Sequence, residues 1–212
     1  MNMRSLLKQI ADLPRHAQTR HLVAIAGAPG SGKSTLADQL ADALRAAGQS
    51  VSVVPMDGFH LDNAILQARG MLHRKGAPET FDAAGFARMI DALTQRQDVV
   101  IPTFDRARDI AIAGARIVPS DADVIVVEGN YLLFDDPAWA PLADLWSLSV
   151  RLDVPFDVLR ARLVQRWLDN GYDAEAAVQK AEGNDLANAR RILDHALDAD
   201  VVLTSEDIAA RP

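Results

Sequence analysis

The sequence predicts an α/β fold in which helices cover both faces of a mostly parallel β-sheet. Two short runs, 22–26 and 124–127, contain only apolar residues, as expected of strands buried on both faces. Strand-type segments alternate with segments whose apolar residues recur at helical spacing, which is the order of a doubly wound sheet. No linker or shift in composition divides the chain, so we expect a single domain over residues 1–212.

A short amphipathic helix is predicted at the N-terminus, within residues 1–18. Leu6, Ile10 and Leu13 recur at helical spacing, and Pro14 ends the pattern. This helix would cover part of the core.

Strand and helix patterns then alternate. The run 22–26 precedes a helical pattern over 36–47 that Gly48 stops, and residues 51–56 form the next strand pattern. The polar stretch 57–79 is interrupted by glycine and proline, which indicates an excursion of the chain over a site.

The middle of the chain continues the alternation. Apolar spacing predicts a helix over 86–93, and residues 99–104 are predicted to be the third strand of the sheet. Residues 110–118 are ambiguous and are compatible with a small hairpin at the edge of the site. Further strands are predicted at 124–127, 146–152 and 201–203.

A long amphipathic helix is predicted to begin at Pro155 and to end at Asn170-Gly171. Its apolar face would consist of Phe156, Leu159, Leu163 and Trp167. Two Ala-rich helical stretches follow, and Gly183-Asn184 is predicted to split them.

Composition excludes several classes of protein. The chain has 212 residues, a formal charge of −7 and no cysteine. The negative charge argues against a nucleic-acid-binding surface, and disulfides and thiolate metal sites are ruled out. Charged residues interrupt the apolar N-terminal segment, and no run approaches the ~18 apolar residues of a membrane span. We therefore expect a cytoplasmic protein with no membrane or nucleic-acid partner.

The segment between the first strand and the first long helix fits the pattern G-x-x-x-x-G-K-[ST]. Its residues are Gly27, Ala28, Pro29, Gly30, Ser31, Gly32, Lys33, Ser34 and Thr35. Backbone N–H groups of such a loop converge on phosphate oxygens at a helix N-terminus. Lys33 can then reach the β- and γ-phosphates, and the Ser34 hydroxyl can bind Mg²⁺. The alternative is a glycine turn before an ordinary helix, but the flanking elements favour binding of a nucleoside triphosphate.

Two carboxylates follow predicted strands, and strand ends are where ligands bind in such sheets. Asp57 is a candidate general base for a hydroxyl acceptor, although Asp57-Gly58 is also common turn chemistry. Glu128 is placed to hold Mg²⁺ directly or through water, the alternative being an ordinary acidic strand end. Asp105 and Arg106 are predicted to join them at the end of the third strand.

Several cations are candidate anion ligands. Arg106 and Arg108 follow the third predicted strand, where they would contact substrate or form a solvated, salt-bridged loop. Arg162 and Arg166 are four residues apart on one helix and share a face that could close over a triphosphate, the alternative being a basic outer face. His60 lies beside the expected acceptor position.

These motifs together resemble the P-loop kinase family that comprises phosphoribulokinase, uridine kinase and bacterial pantothenate kinase. The matching pieces are Gly27–Thr35, Met56-Asp-Gly-Phe-His-Leu-Asp-Asn63, Arg74-Lys-Gly-Ala-Pro-Glu-Thr-Phe-Asp82, Pro102-Thr-Phe-Asp-Arg106 and Val127-Glu-Gly-Asn-Tyr131. The resemblance covers residues ~20–170 and is nearest to the branch described as sugar or fructose transport-system kinases. Phe104-Asp-Arg106 reproduces neither the pantothenate kinase nor the uridine kinase pattern.

The resemblance implies a P-loop NTPase fold, a three-layer α/β/α sandwich with a mostly parallel five-stranded sheet and a helical lid at about 156–185. It implies ATP with Mg²⁺ and a hydroxyl acceptor. It gives Asp57 the base role, Lys33 and Ser34 the triphosphate and Mg²⁺ roles, and Glu128 the acidic strand-end role. The expected substrate-binding residues all lie in matching pieces. They are Asp57, His60, Arg106, Glu128 and Tyr131.

The function expected is phosphoryl transfer from ATP to a small metabolite, with a free sugar such as fructose as first candidate. Pantothenate, nucleosides and sugar phosphates are alternative acceptors. A regulatory NTPase without an acceptor and a non-catalytic ATP-binding module are alternatives of another class. The chain lacks an N-K-x-D guanine signature and the L-S-G-G-Q stretch of transporter ATPases. A homodimer is a possible assembly.

Overall fold

A five-stranded parallel sheet organises the computed structural model, which describes residues 3–14 and 19–209. The strand order is β2-β5-β1-β6-β7, and every neighbouring pair is parallel. The strands are β1 (His21–Gly27), β2 (Val51–Pro55), β5 (Val124–Gly129), β6 (Leu148–Asp153) and β7 (Val201–Thr204). The predicted α/β class and five-stranded parallel sheet are confirmed.

Helices cover both faces of this sheet. They are α1 (Met3–Ala11), α2 (Lys33–Ala46), α3 (Asn63–Ala68), α4 (Ala83–Thr94), α5 (Phe156–Asp169), α6 (Ala174–Lys180), α7 (Leu186–Asp194) and α8 (Ser205–Ala209). Short 3₁₀ turns lie at Met56–Phe59, Leu72–Arg74, Pro78–Thr80 and Ala140–Leu145. The N-terminal helix occurs as predicted, although residues 1, 2 and 15–18 of that predicted segment lie outside the described residues.

Alternation along β1 divides the core into two layers. Val23 and Ile25 face α1 and α2, whereas Leu22, Ala24 and Ala26 face the layer that contains α4. Because a central strand is covered on both sides, both sets of side chains must be apolar. This requirement explains the uninterrupted apolar run that identified β1 in the sequence.

The third predicted strand does not belong to the parallel sheet. Residues Val99–Asp105 form β3, which pairs antiparallel with β4 (Ile110–Val118) in a separate two-stranded hairpin. Only residues 106–109 connect the two strands, and so short a connection permits an antiparallel hairpin but not a crossover between parallel strands. Residues 110–118 are therefore one strand of this hairpin, not a hairpin by themselves, and the placement of 99–104 in the main sheet was wrong.

The two predicted helical stretches are present as α6 and α7, and the segment that divides them includes Gly183-Asn184. Residues Ala181–Asp185 form a π-helical turn that joins α6 to α7, and the chain stays helical through it. Glu182, Asn184 and Asp185 of this turn make tertiary hydrogen bonds. Within the described residues, no helix has the length and apolar character needed to cross a bilayer.

Candidate active site

The glycine-rich segment forms an open backbone loop ahead of a helix N-terminus. β1 ends at Gly27 and α2 begins at Lys33. Gly30 and Gly32 have φ angles of 79° and 96°, in the left-handed region that favours glycine. A Cβ built on Gly32 would meet nothing within 4 Å, and the first turn of α2 contains no acidic residue. The first N–H groups of α2 have no intrahelical partner, and such groups suit phosphate.

Glu128 lies beside this loop because of the strand order. Glu128 follows the apolar part of β5. In the sheet register it lies between Ile25 of β1 and Pro55 of β2, and only 5% of the residue is exposed. Burial raises the pKa of Glu128, while the Lys33 ammonium and a hydrogen bond from the Ser34 hydroxyl oppose that rise. A carboxylate, a hydroxyl and an ammonium group therefore share one corner of the site. Carboxylate and hydroxyl oxygens are ligands that Mg²⁺ accepts beside phosphate oxygens.

Asp57 enters the same corner from the neighbouring strand. It belongs to the 3₁₀ turn that directly follows β2, and its negative charge is one of the causes that raise the pKa of Glu128. Arg106 Nη2 donates a hydrogen bond to Asp57 Oδ2 at 2.7 Å. The Asp57 side chain is 19% exposed and that of Arg106 is 71% exposed. Asp57 is thus accessible, and its partner is a solvated guanidinium on the β3–β4 turn.

Arg106 reaches Asp57 although β3 lies outside the main sheet. The hairpin packs against the turn that carries Asp57, and Gly58 allows that close approach. A Cβ built on Gly58 would lie 2.7 Å from the carbonyl oxygen of Pro102 in β3. Gly58 is therefore needed for packing, which explains the Asp57-Gly58 pair without invoking a positive φ.

We expect Gly58→Ala to lower the free energy of unfolding by about 1–3 kcal/mol, because the added methyl group must push the hairpin away. The same displacement should separate Arg106 from Asp57. Gly183→Ala is the matched control, since a Cβ there meets nothing within 4 Å. Thermal unfolding of both variants tests this expectation, and equal stability of the two would contradict the steric argument.

His60 is held beside Asp57 as a neutral imidazole. Its Nδ1–H donates to the Asp57 carbonyl oxygen at 2.7 Å, and its ring lies 4.0 Å from Phe81 and 4.6 Å from Phe104, centroid to centroid. Burial lowers the pKa of His60, and the nearby Asp57 opposes that shift only in part. His60 therefore joins the Asp57 turn to the hairpin and to Phe81.

The 74–82 loop runs alongside the Asp57–Leu61 segment. The Leu61 N–H donates to the Thr80 carbonyl oxygen and the Asp82 N–H donates to the Phe59 carbonyl oxygen, each at 2.9 Å. These bonds bring the K-G-x-P-E piece of the sequence next to Asp57. Lys75 Nζ donates to Asn63 Oδ1 at 2.7 Å and forms a 3.0 Å ion pair with Asp109 Oδ2 on the hairpin turn.

Tyr131 supports the 74–82 loop instead of lining the open part of the site. The residue is fully buried among Phe81, Phe134 and Trp139, and its hydroxyl donates to the Gly76 carbonyl oxygen at 2.6 Å. Burial raises the pKa of this hydroxyl, so it stays a donor. The contact that the structure shows for Tyr131 is therefore a supporting one, to the Gly76 backbone.

Glu79 joins the 74–82 loop to α7. Its carboxylate pairs with Arg74 at 2.5 Å and with Arg191 of α7 at 3.0 Å. Burial acts to raise the pKa of Glu79, but its hydrogen bonds and the charge of Arg191 outweigh burial and lower the pKa below its ordinary value.

A pH-dependent stability effect follows for Glu79→Gln. A lowered pKa stabilises the folded state above the unfolded-state pKa, and this contribution is lost as the pH falls through the folded pKa. We expect the variant to be about 1 kcal/mol less stable at pH 7 and equal to the parent protein once Glu79 is protonated. Urea unfolding across pH measures the difference, with Glu175→Gln on the exposed face of α6 as control. A difference that does not change with pH would contradict this assignment.

The arginines of α5 differ in what they contact. Arg162 Nη1 donates to the carbonyl oxygens of Gly30 and Ser31, each at 3.2 Å, so this side chain lies on the glycine-rich loop. Arg166 pairs with Asp185 at 2.7 Å, and Arg160 pairs with Glu182 at 2.7 Å. The structure therefore brings Arg162 to the loop and leaves Arg166 on the π-helical turn.

A cavity of about 510 Å³ lies next to these helices. Its lining includes Phe156, Arg160, Glu182, Arg190, Asp194 and His195. None of the glycine-rich loop or strand-end residues lines it. The convergence of charged groups at the strand ends therefore defines the site, and this cavity is a separate feature of the α5–α7 region.

Comparison with known proteins agrees with this geometry. Residues 22–206 match the model of the phosphoribulokinase / uridine kinase family. The chain resembles the crystal structure of a "putative fructose transport system kinase" from Silicibacter sp. TM1040. The two structures have a TM-score of 0.92, and their sequences are 55% identical. That match covers 96% of this chain and 99% of the other.

Two relatives differ in the acceptor that their names state. "Putative uridine kinase C227.14" of Schizosaccharomyces pombe is 34% identical over 93% of this chain and 88% of its own length. A pantothenate kinase of Leifsonia xyli subsp. xyli is 33% identical over 72% of this chain and 48% of its own length. The family match spans the P-loop and both strand-end carboxylates. The chain belongs to the phosphoribulokinase / uridine kinase family, whose members are ATP-dependent kinases.

Proposed function

We propose that this kinase transfers the γ-phosphate of ATP to a hydroxyl group of a small metabolite, with a free sugar such as fructose as first candidate. The observation that carries the proposal is the position of Asp57. It lies one strand away from Glu128, next to the P-loop, and it remains accessible beside the 74–82 loop. A regulatory NTPase has no need of a second carboxylate poised for a hydroxyl acceptor.

Asp57 would act as the general base. The acceptor hydroxyl attacks the γ-phosphorus in line, its proton passes to an Asp57 oxygen, and the bond from the γ-phosphorus to the β–γ bridging oxygen breaks to release ADP. The Arg106 guanidinium, whose Nη2 lies 2.7 Å from Asp57 Oδ2, holds the Asp57 carboxylate in place. Because Arg106 is mostly exposed, it can move aside when the acceptor hydroxyl approaches.

Lys33 and Arg162 would balance the negative charge that the phosphates bring. Lys33 begins α2, and Arg162 lies on the carbonyl groups of Gly30 and Ser31. Ser34 and Glu128 would hold the Mg²⁺ that accompanies ATP, and this ion supplies charge neutralisation at the phosphate oxygens. The Ser31 hydroxyl is buried and, within the part of the chain that the structure describes, lacks a hydrogen-bond partner, which fits a loop built around an anion.

The acceptor is inferred from the comparisons. The similar Silicibacter protein is named for fructose transport, which supports a free sugar. The uridine and pantothenate kinases among the relatives support nucleosides and pantothenate as the next candidates. Sugar phosphates are a further candidate, because the exposed guanidinium of Arg106 lies next to Asp57.

A coupled ADP-release screen tests the proposal. Purified protein with ATP and Mg²⁺ is offered fructose and other free sugars first, then nucleosides, pantothenate and sugar phosphates. We expect one class to raise ADP release far above the rate without acceptor, and the Asp57→Asn variant to lose that response. Slow ADP release that no compound raises would favour a regulatory NTPase instead.

A further inference from the structure

The π-helical turn at Ala181–Asp185 makes contacts in two directions. Toward α5, Glu182 accepts hydrogen bonds from Arg160, and Asp185 accepts from Arg166 at 2.7 Å and from the Trp167 indole at 2.8 Å. Toward the opposite side, Asn184 reaches the 74–82 loop. The turn therefore connects the helix that lies on the P-loop to the segment that runs beside Asp57.

The contact of Asn184 with the 74–82 loop has a defined orientation. Asn184 Nδ2 donates to the Lys75 carbonyl oxygen at 2.7 Å. Asn188 is 3% exposed, and its Nδ2 donates to Asn184 Oδ1 at 3.2 Å. Because the oxygen of the Asn184 amide is held by Asn188, the amino group is the one that faces Lys75.

Lys75 and Gly76 are fixed from several sides. The Gly76 carbonyl oxygen accepts from Tyr131, and the Gly76 N–H donates to Thr80 Oγ1 at 2.9 Å. The Lys75 ammonium reaches Asn63 and Asp109, and Asp109 lies on the same hairpin turn as Arg106. A chain of contacts thus leads from Asn184 through Lys75 to the β3–β4 hairpin turn. Arg106 of that turn donates a hydrogen bond to Asp57.

Helix stability does not explain why position 184 is an asparagine. Asparagine is a poor helix former, and alanine at a mid-helix position is favoured by several tenths of a kcal/mol or more. Asn184 is only partly buried and belongs to no apolar cluster. Its hydrogen bond to a loop more than one hundred residues earlier is its structural contribution.

We propose that Asn184 is a positioning residue for the acceptor. By fixing the Lys75 carbonyl it sets the path of the 74–82 loop, and by that path it places the Lys75 ammonium and the hairpin turn around the space in front of Asp57. This inference rests on the proposed function, because it assumes that the acceptor binds beside the 74–82 loop.

Steady-state kinetics with the acceptor found in the ADP-release screen give the first test. Asn184→Asp has nearly the same shape but places a carboxylate oxygen against the Lys75 carbonyl, and Asn184→Ala removes the contact. Both should raise the acceptor KM by about five- to tenfold, the size expected for one lost hydrogen bond. The ATP KM and the ADP release without acceptor should stay within about twofold. Glu182→Gln, in the same turn but directed at Arg160, is the control that should leave the acceptor KM unchanged.

Amide hydrogen exchange supplies a second readout that needs no ligand. The N–H groups of Lys75, Gly76, Ala77 and Thr80 are all hydrogen bonded within residues 72–82. Exchange in a peptide spanning 72–82 should therefore become faster in both Asn184 variants and in Tyr131→Phe. Exchange in β1 should not change. If no screened acceptor raises ADP release while exchange changes as expected, the proposed function fails and the loop contact stands.

Three results would overturn the inference itself. One is an active kinase whose acceptor KM is the same in the parent protein and in the folded Asn184→Asp variant. The second is unchanged exchange in the 72–82 peptide. A uniform increase of exchange across the whole chain would likewise count against it, because that result indicates general destabilisation.

Discussion

Asp57→Asn is expected to reduce kcat by about 10²- to 10⁴-fold, the usual contribution of a general base. Asparagine keeps the shape of the side chain, and its amide oxygen can still accept the hydrogen bond from Arg106. It cannot accept the proton of the acceptor hydroxyl. The variant should therefore bind ATP normally, fold normally and fail at transfer.

Two measurements separate this result from a folding defect. Nucleotide affinity by titration and thermal unfolding should both match the parent protein, since the Asp57–Arg106 pair is solvated and contributes little to stability. Arg106→Lys is a useful companion because it keeps the positive charge near Asp57. Asp57→Asn with near-normal turnover of the acceptor would remove Asp57 from the base role.

Lys33→Ala is the second change with a large expected effect, a loss of about 10²- to 10³-fold in kcat with weaker ATP binding. Lys33 opens α2 at the end of the glycine-rich loop, where its ammonium would neutralise charge on the transferring phosphoryl group. Its removal also takes away the positive charge that opposes the raised pKa of the buried Glu128. The loss of charge neutralisation and the change at Glu128 should both weaken the binding of a triphosphate.

The control for Lys33→Ala is Lys8→Ala, on an exposed face of α1. That variant removes the same charge far from the glycine-rich loop and should keep the kinetic constants of the parent protein. An equal loss in both variants would indicate a general effect of net charge. Retention of kcat in Lys33→Ala would contradict the placement of the γ-phosphate at this end of α2.

The sheet and the glycine-rich loop could be predicted because their signals are local. The run 22–26, the loop from Gly27 and the leucines of α2 lie next to one another in the chain, so periodicity alone orders them. Asp57 and Glu128 directly follow apolar strand patterns. Because ligands bind at the carboxyl ends of parallel strands, both residues could be predicted to lie in the site.

The hairpin shows where a local pattern was insufficient. Residues 99–104 have the apolar content of a buried strand, yet Val100 is 59% exposed and lies opposite Ile117, which is 58% exposed. Composition does not tell an edge hairpin from an inner parallel strand. The four-residue connection at 106–109 was the signal that distinguishes them, because parallel neighbours need a longer crossover.

The contacts around the 74–82 loop depend on long-range tertiary structure. Tyr131 bonds to Gly76, Asn184 to Lys75 and Arg191 to Glu79, each across more than fifty residues. Nothing in periodicity or spacing pairs these residues. The K-G-x-P-E piece marked the loop as distinctive, but its partners in the π-helical turn, in α7 and just after β5 emerge only from the fold.

A structure with Mg²⁺ and a non-hydrolysable ATP analogue tests the central claim most directly. We expect the triphosphate at the N-terminus of α2, the terminal phosphate beside Lys33, the metal ion near Ser34 and Glu128, and the Asp57 carboxylate facing the terminal phosphate across an open space. A nucleotide bound elsewhere, or an Asp57 side chain turned away from that phosphate, would contradict phosphoryl transfer at this site.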